Sequence, residues 1–264
     1  MRYLSLGLLL SLTLAVPLFA AQPQEYWQDR NSGNLQSVDE QLFELANQAR
    51  ARAGVAPLQW DPALAAAALY HCRRMAAEGP IAHQYNGEPD LASRAGRAGA
   101  RFSLIEENVA LASSPDLIHD GWMHSPEHRA NLLNPRIDRI GVAVVASRGV
   151  LYAVADYERT VQSLTTLQIE ARVVALIRES GVSILGDPSL ARAACATDEG
   201  VPHSRAGLQP AFVMRWQGSE LTRLPQVLLD RLNSGRYRRA SVGSCPAQGL
   251  EGTFSAYRVA VLLY

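Results

Sequence analysis

Residues 122–156 constrain the fold of this chain more than any other stretch. Ser125-Pro126-Glu127 is typical of a helix start, with the serine as cap, the proline in the first helical position and the acid near the positive end of the helix dipole. Asn134-Pro135 ends that helix, because the residue before a proline is pushed out of the α region. Alternating apolar residues in 140–145 and 151–156 then predict two strands. The stretch predicts a helix, a short helix and a hairpin.

Charge and length limit the classes of partner and the number of domains. The 264 residues contain 25 Lys plus Arg and 25 Asp plus Glu, so the formal net charge is zero. A neutral chain offers no electrostatic case for nucleic acid or an anionic membrane surface as its main partner. The length allows either one core with an appendage or two small cores.

The first 20 residues have the pattern of a secretory signal peptide. Arg2 lies near the start, an apolar run covers residues 4–19, and Ala20 and Ala21 provide small residues for cleavage. An uncleaved anchor helix is the alternative, although the run is short for a membrane span. Residues 21–37 are expected to be a leader, and no later segment has the apolar length to cross a bilayer. We therefore expect a secreted or periplasmic protein.

Three cysteines remain for that oxidising environment, so at least one is unpaired within the chain. Cys195 and Cys245 lie in the same later segment and are the predicted disulfide. Cys72 lies among alanines on a predicted helix, where it is expected to be a small buried residue.

The stretch also carries a multi-part motif, W-M-x-S-P-x-H-R-x-N-L-L over 122–133 followed by R-I-G-V over 139–142. These residues closely resemble the bacterial branch of the CAP superfamily, named for cysteine-rich secretory proteins, antigen 5 and pathogenesis-related proteins. The resemblance covers residues 38–157 and implies an α+β fold, an α-β-α sandwich with helices on both sides of an antiparallel sheet, as a domain over 38–160. Asn47 and Arg50 stand where such domains commonly carry N-x-x-R, and a solvated helix face is an equally good interpretation of them.

The resemblance implies a ligand-binding cleft formed by His83, Glu107, Ser125 and His128. Residues 106–110 are similar to the family motif G-E-N-I-A, with Glu106 in place of the glycine, so the local backbone freedom of glycine is absent. The family's second cleft acid corresponds to the region of Ser125. Without the resemblance, His83 is interpreted as a polar surface residue of a loop. The alternative for Glu107 is a salt-bridged structural acid.

Two histidines and a glutamate permit metal ligation, acid–base chemistry or a polar floor for a binding groove. Serine is a poor zinc ligand, so zinc or another divalent metal would have His83 and His128 as its ligands, with modest affinity that falls below pH ~6.5. We expect a binding module for a small ligand, lipid, peptide or divalent metal. A metal-dependent hydrolase with Glu107 as its base is the alternative, and an envelope scaffold with a vestigial cleft is a third reading.

His124 and His128 with Glu127 also spell H-x-x-E-H, the signature of one class of metallopeptidases. That mechanism needs both histidines on one face of one continuous helix, and Pro126 lies between them. We therefore interpret the match as coincidence and His124 as a surface or hinge residue.

Residues 165–264 repeat parts of this pattern. Asp187-Pro188 resembles Asp61-Pro62, and residues 232–238 resemble the segment that ends at Arg129. We predict a second, shortened CAP-like α+β unit in which Tyr237 stands at the place of His128, so that any metal site is lost. An unrelated small α+β extension is the alternative.

Overall fold

The computed structural model describes residues 37–200, 208–247 and 254–264. The predicted signal peptide over 1–20 and all but the last residue of the leader over 21–37 lie outside the described residues. Ser37–Tyr264 is one compact unit. Among the described residues, no helix combines the length and the apolar composition that a membrane span requires.

The first half of this unit alternates helices and strands. In chain order its elements are α1 (Val38–Arg52), β1 (Gln59–Trp60), α2 (Pro62–Glu78), α3 (Leu91–Arg97), β2 (Phe102–Ala112), α4 (Pro115–His124), α5 (Pro126–Leu132), β3 (Arg139–Ser147) and β4 (Val150–Thr160).

Local sequence signals set most helix starts. Ser37 and Glu40 form a capping box at α1, in which each side chain accepts a hydrogen bond from the other residue's backbone N–H. Asp61 accepts from two N–H groups in the first turn of α2. The prediction for Ser125 was wrong in one respect, because its side chain makes no capping hydrogen bond. Ser125 lies between the two helices, as the C-cap of α4 and the N-cap of α5, and its own N–H donates to the carbonyl of Gly121.

The sheet has the strand order β1-β3-β4-β2. The hairpin of β3 and β4 and the edge strand β2 are antiparallel, whereas β1 pairs in parallel with β3. The sheet is therefore mixed, and the purely antiparallel expectation was wrong at β1, because a two-residue strand is too short to show an alternating pattern.

Helices cover both faces of this sheet, which confirms the α-β-α sandwich. α1, α4 and α5 pack on one face, around Trp122 and Tyr157. α2 and α3 pack on the other, around Met75 and Phe102. Gly141 in β3 permits this second contact, since a Cβ there would lie 2.0 Å from the backbone N of Ala65 in α2.

The second half is a smaller α+β structure with its own core. Its elements are α6 (Thr166–Arg178), β5 (Ser183–Ile184), α7 (Ser189–Cys195), β6 (Phe212–Gly218), α8 (Gln226–Asn233), β7 (Arg239–Cys245) and β8 (Tyr257–Leu263). Its strand order, β5-β7-β8-β6, follows the same sequence of pairings as the first sheet. That the unit is a shortened CAP-like copy stays a prediction.

The cysteine predictions are confirmed. Cys195 and Cys245 form a disulfide with an S–S distance of 2.03 Å. Cys72 is free and fully buried, and burial raises the pKa of its thiol to about 12. A thiol with so high a pKa is not a nucleophile near neutral pH.

Candidate functional site

Three of the four predicted cleft residues lie side by side. His83 belongs to the loop after α2, Glu107 to β2 and His128 to α5. Nδ1 of His83 lies 2.8 Å from Oε1 of Glu107, and the rings of His83 and His128 have centroids 6.5 Å apart. The structure therefore brings the three side chains together at the edge strand of the sheet.

The alternation of β2 sends its two adjacent acids to opposite faces. Glu107 is buried on the face that carries α2 and α3, with a side chain 3 % exposed. Glu106 is half-buried on the other face and accepts a hydrogen bond of 2.8 Å from Asn134. The strand stays in register with β4 through residues 104–112, so Glu106 replaces the expected glycine without disturbing the pairing.

Ser125 and His124 do not join this cluster. The side chain of Ser125 forms no hydrogen bond with a described residue, although Ser125 directly precedes the short helix that contains His128. His124 is exposed, and its Nδ1 lies 2.8 Å from the carbonyl oxygen of Asp120. Because α4 ends at His124 and α5 begins at Pro126, the two histidines of the H-x-x-E-H match lie on different helices.

Arg94 of α3 completes the cluster and was missed by the sequence analysis. Its buried guanidinium forms an ion pair with Oε2 of Glu107, and its Nη1 donates to the carbonyl oxygens of His83 at 3.3 Å and Pro89 at 3.1 Å. Both carboxylate oxygens of Glu107 are thus occupied, one by His83 and one by Arg94. An arginine on a short helix is expected at the surface, so the local sequence contained no sign that Arg94 is buried in the cluster.

Asp156 lies behind Glu107 and was also missed. It pairs with Glu107 in the register of β2 and β4 and is fully buried. Neither oxygen of its carboxyl makes a hydrogen bond of good geometry within the described residues. Burial, and next the negative charge of Glu107, raise the pKa of Asp156 well above its usual value. Asp156 therefore keeps its proton to a higher pH than an exposed aspartate does.

The two histidines are held at different pKa values. The hydrogen bond to Glu107 raises the pKa of His83, against a smaller opposing effect of burial. Burial, and next the charge of His83, lower the pKa of His128. As the pH rises, His128 therefore loses its proton first, and its ring then offers a lone pair beside a protonated His83.

The donor set limits what metal ion the cluster could hold. Glu107 orients His83 through Nδ1, in the manner of a carboxylate behind a metal-binding histidine. This leaves Nε2 of His83 and the ring of His128 as donors. In the part of the chain that the structure describes, no group of three or more His, Cys, Asp and Glu side chains is arranged to hold a metal ion. The cluster offers two imidazole ligands, fewer than a structural zinc site uses.

A separate cavity of about 280 Å³ lies between α1, α4 and α5. Arg52, Arg129, Met123 and Leu133 line it together with His119, which is 7 % exposed. Nδ1 of His119 is buried and has no hydrogen-bond partner among the described residues, and burial lowers its pKa. The cavity combines apolar walls with two exposed guanidinium groups and the exposed carboxylate of Asp120.

A larger cavity of about 450 Å³ lies between the first half and the segment after β4, residues 161–164, and shares no lining residue with the cleft. Asp61, Arg101, Arg139 and Glu158 supply its charged lining, and burial raises the pKa of Glu158 to about 7. Its mixed charges favour no single class of ligand.

Comparison with known proteins gives a family match in the first half of the chain. A model of the cysteine-rich secretory protein family, CAP, matches residues 43–157. The uncharacterized protein YkwD of Bacillus subtilis (strain 168) is 29% identical over 121 residues, which are 44% of this chain and 46% of that protein. The uncharacterized membrane protein YlbC of the same organism is 30% identical over 108 residues, 40% of this chain and 31% of that protein.

Solved structures give a similar match. An extracellular protein containing an SCP domain from Bacillus anthracis is 28% identical, with a TM-score of 0.44, and the match covers 49% of this chain and 45% of that one. The matched region thus spans less than half the length of each of these relatives.

Proposed function

Residues 43–157 form a CAP domain, and from that premise we propose that this domain is a binding module whose cleft, formed by His83, Glu107 and His128, takes a small polar ligand or a divalent metal ion. The observation that carries the proposal is the geometry of His83. Its side chain is 59 % exposed, yet Nδ1 is fixed by the buried Glu107, which leaves Nε2 directed outward beside His128.

Binding is favoured over hydrolysis by the state of Glu107. A general base must have a free lone pair within reach of the water it activates. Both oxygens of Glu107 are engaged by His83 and Arg94, and the second cleft acid of the CAP family corresponds to the region of Ser125, where bacterial members commonly have serine. The alternative, a metal-dependent hydrolase that uses Glu107, requires the ion pair with Arg94 to open.

A divalent metal ion would be held by Nε2 of His83 and a ring nitrogen of His128, with water in its remaining positions. Such an ion would supply Lewis-acid polarisation of a bound ligand. Two imidazole ligands predict weak binding that strengthens as the pH rises and His83 loses its proton.

The cavity beside His119 supports a second class of ligand for the same domain. Met123 and Leu133 offer an apolar wall, and the lining charges are the two guanidinium groups of Arg52 and Arg129 against the one carboxylate of Asp120. This combination suits an anionic ligand with an apolar body, such as a fatty acid. Displacement of a fluorescent fatty acid tests this, measured on the full chain and on a variant with Arg52→Gln and Arg129→Gln. Equal displacement from both proteins would show that the cavity is not the fatty-acid site.

The location proposed for the protein is outside the cytoplasm, secreted or periplasmic. The Cys195–Cys245 disulfide supports it, because such bonds persist in oxidising compartments. The relative from Bacillus anthracis is described as extracellular.

The second half is proposed to be a shortened CAP-like copy without a cleft. In the first sheet Gly141, Asp156 and Glu107 share one row of paired positions, and in the second sheet Gly243, Ala260 and Arg215 share the corresponding row. Like Gly141, Gly243 lies under a helix, since a Cβ there would be 2.2 Å from the N of Arg192. An arginine in the place of the cleft glutamate supports loss of the site.

Zinc titration by calorimetry tests the main proposal. The protein is compared with the double variant His83→Ala plus His128→Ala and with His124→Ala, which removes an exposed histidine outside the cleft. Heat that is lost only in the double variant, without turnover of peptide or ester substrates, supports binding. Turnover that the double variant loses would establish the hydrolase instead. If the double variant matched the wild type in heat, ligand binding and phenotype, the domain would be a scaffold with a vestigial cleft.

A further inference from the structure

The loop that carries His83 is attached to α2 by a buried pair that takes no part in the cleft. His71 lies in the middle of α2 and Glu88 near the end of the loop, and both side chains are 0% exposed. Nδ1 of His71 lies 2.8 Å from Oε1 of Glu88, and its Nε2 lies 2.7 Å from the carbonyl oxygen of Ala82. The pair therefore joins the helix to the residue directly before His83.

The hydrogen-bond partners define where the protons lie. A carbonyl oxygen can only accept, so Nε2 of His71 carries a proton and donates it to Ala82. Oε2 of Glu88 accepts from the N–H of Tyr85 at 3.0 Å. One further proton lies between Nδ1 of His71 and Oε1 of Glu88. Both ring nitrogens and both carboxyl oxygens are thus engaged within the loop.

Little else in the backbone fixes residues 80–90. Among the described residues, the backbone–backbone hydrogen bond inside this loop runs from the N–H of Glu88 to the carbonyl of Tyr85. The other main-chain contacts come from side chains, with Gln84 donating to the carbonyl of Glu88 at 2.8 Å and Arg94 to the carbonyl of His83 at 3.3 Å. Tyr85 also donates to the carbonyl of Pro80 and Arg74 to that of Asn86. The position of the loop therefore depends on polar side chains, of which His71, Glu88 and Arg94 are buried.

We propose that His71 and Glu88 are positioning residues, which hold the backbone at Ala82 so that the exposed ring of His83 meets Glu107. His71 anchors the carbonyl of Ala82, and Arg94 anchors the next carbonyl along the chain. An exposed imidazole pays rotamer entropy to keep one hydrogen bond, and a fixed backbone reduces that loss. The functional meaning of this inference rests on the proposed role of the cleft.

Substitutions of Glu88 separate positioning from general stability. In Glu88→Gln the amide N–H can donate to Nδ1 of His71 while the amide oxygen accepts from Tyr85, so every hydrogen bond of the pair is retained with a neutral ring. In Glu88→Ala, Nδ1 of His71 and the N–H of Tyr85 both lose their hydrogen-bond partner. His71→Leu removes the helix side of the pair, and Glu78→Gln, which alters an exposed ion pair with Arg74 on the same helix, is the matched control.

The readout is the pKa of His83, followed by NMR of its ring protons in the metal-free full chain, with zinc affinity measured alongside. Glu88→Gln and Glu78→Gln are expected to keep the raised pKa of His83. Glu88→Ala and His71→Leu are expected to lower it toward the ordinary 6.5, because the ring leaves Glu107. A loss of stability that left His83 in place would not move this pKa in the folded protein.

The inference is overturned if Glu88→Ala folds and His83 keeps its raised pKa, or if Glu88→Gln lowers that pKa as far as Glu88→Ala does. If His71→Leu does not fold, Glu88→Ala decides alone, since it removes only the loop's half of the pair. Failure of the wild-type protein to bind zinc would refute metal binding by the cleft without affecting this readout.

Discussion

Asp156 lies directly opposite Glu107 in the pairing of β2 with β4, so two carboxyl groups occupy the same buried face of the sheet. Arg94 places one guanidinium against Glu107. Two adjacent buried carboxylates with one cation are unfavourable, and protonation of Asp156 relieves the repulsion. The pKa of Asp156 is therefore raised first by burial and next by the negative charge of Glu107, which the strand register places opposite it.

Replacing Asp156 with Asn should stabilise the protein at neutral pH. The folded state keeps the proton of Asp156 above pH 3.8, where the unfolded chain has lost it, so its contribution to stability is complete below that pH and is lost as the pH rises toward the folded pKa. Asparagine is neutral throughout, and we expect a gain of roughly 1–3 kcal/mol at pH 7 that disappears near pH 4. Urea unfolding at several pH values measures it.

Glu44→Gln on the exposed face of α1 is the control for replacing a carboxyl by an amide at the surface. A variant Asp156→Asn that is less stable than the wild type at pH 7, or a difference that does not change with pH, would show that Asp156 is ionised in the folded protein.

Removing the guanidinium of Arg94 should destabilise the fold strongly. In Arg94→Met, Glu107 remains buried next to Asp156 without its cation, and breaking a buried pair from one side costs about 3–5 kcal/mol. Arg74→Met breaks the exposed pair with Glu78 and should change the free energy of unfolding by less than about 1 kcal/mol. Chemical denaturation measures both variants. If Arg94→Met lowered the free energy of unfolding by no more than Arg74→Met, Glu107 would have to reach water when Arg94 is absent.

The sequence predicted those parts of the fold that local chemistry determines. The capping box at Ser37, the proline at the start of α2 and the alternation of β3 each depend on residues a few positions apart. The arrangement of His83, Glu107 and His128 was predicted through resemblance, since no local rule relates positions in a loop, a strand and a helix. Their ligand stays a prediction.

The buried polar groups could not be predicted, because their partners are distant in sequence. Arg50 is fully buried and donates to carbonyl oxygens of Leu132 and Asn134, more than 80 residues away, although its spacing on α1 fitted a solvated face equally well. Arg94 and His71 are buried for the same kind of reason. Hydrophobic periodicity identifies apolar faces and carries no information on which polar side chain finds a partner inside.

The two cleft histidines should titrate separately. NMR titration of the metal-free protein is expected to give a pKa above 6.5 for His83 and below 6.5 for His128. In His83→Ala the pKa of His128 should rise, because a neighbouring positive charge is gone, but burial should keep it below 6.5. His124→Ala should leave both values unchanged. Identical titrations for both rings would contradict the contact between His83 and Glu107.

Two glycines under helices should tolerate no side chain. Gly141→Ala places a Cβ 2.0 Å from the N of Ala65, and Gly243→Ala places one 2.2 Å from the N of Arg192. Backbone must move in both cases, so we expect each to lose roughly 1–3 kcal/mol or more in thermal unfolding. Gly121→Ala in α4 meets nothing within 4 Å and should gain about 0.5–1 kcal/mol from helix propensity. A neutral Gly243→Ala would argue against the proposed likeness of the two halves.

Loss of the disulfide should destabilise the second half. Cys195 in α7 and Cys245 at the end of β7 are 50 residues apart, so the bond restricts a long loop of the unfolded chain, and the variant Cys195→Ala plus Cys245→Ala is expected to lose about 2–4 kcal/mol. The bond also packs α7 against the sheet, where Ala191 and Ala260 are fully buried.

The first half has its own core, so exchange of amide hydrogens in the variant without the disulfide should rise mainly in residues 189–195 and 239–245. Cys72→Ala, which removes the free thiol of α2, is the control and should change exchange only near α2. Equal loss of protection in both halves would show that they unfold as one cooperative unit.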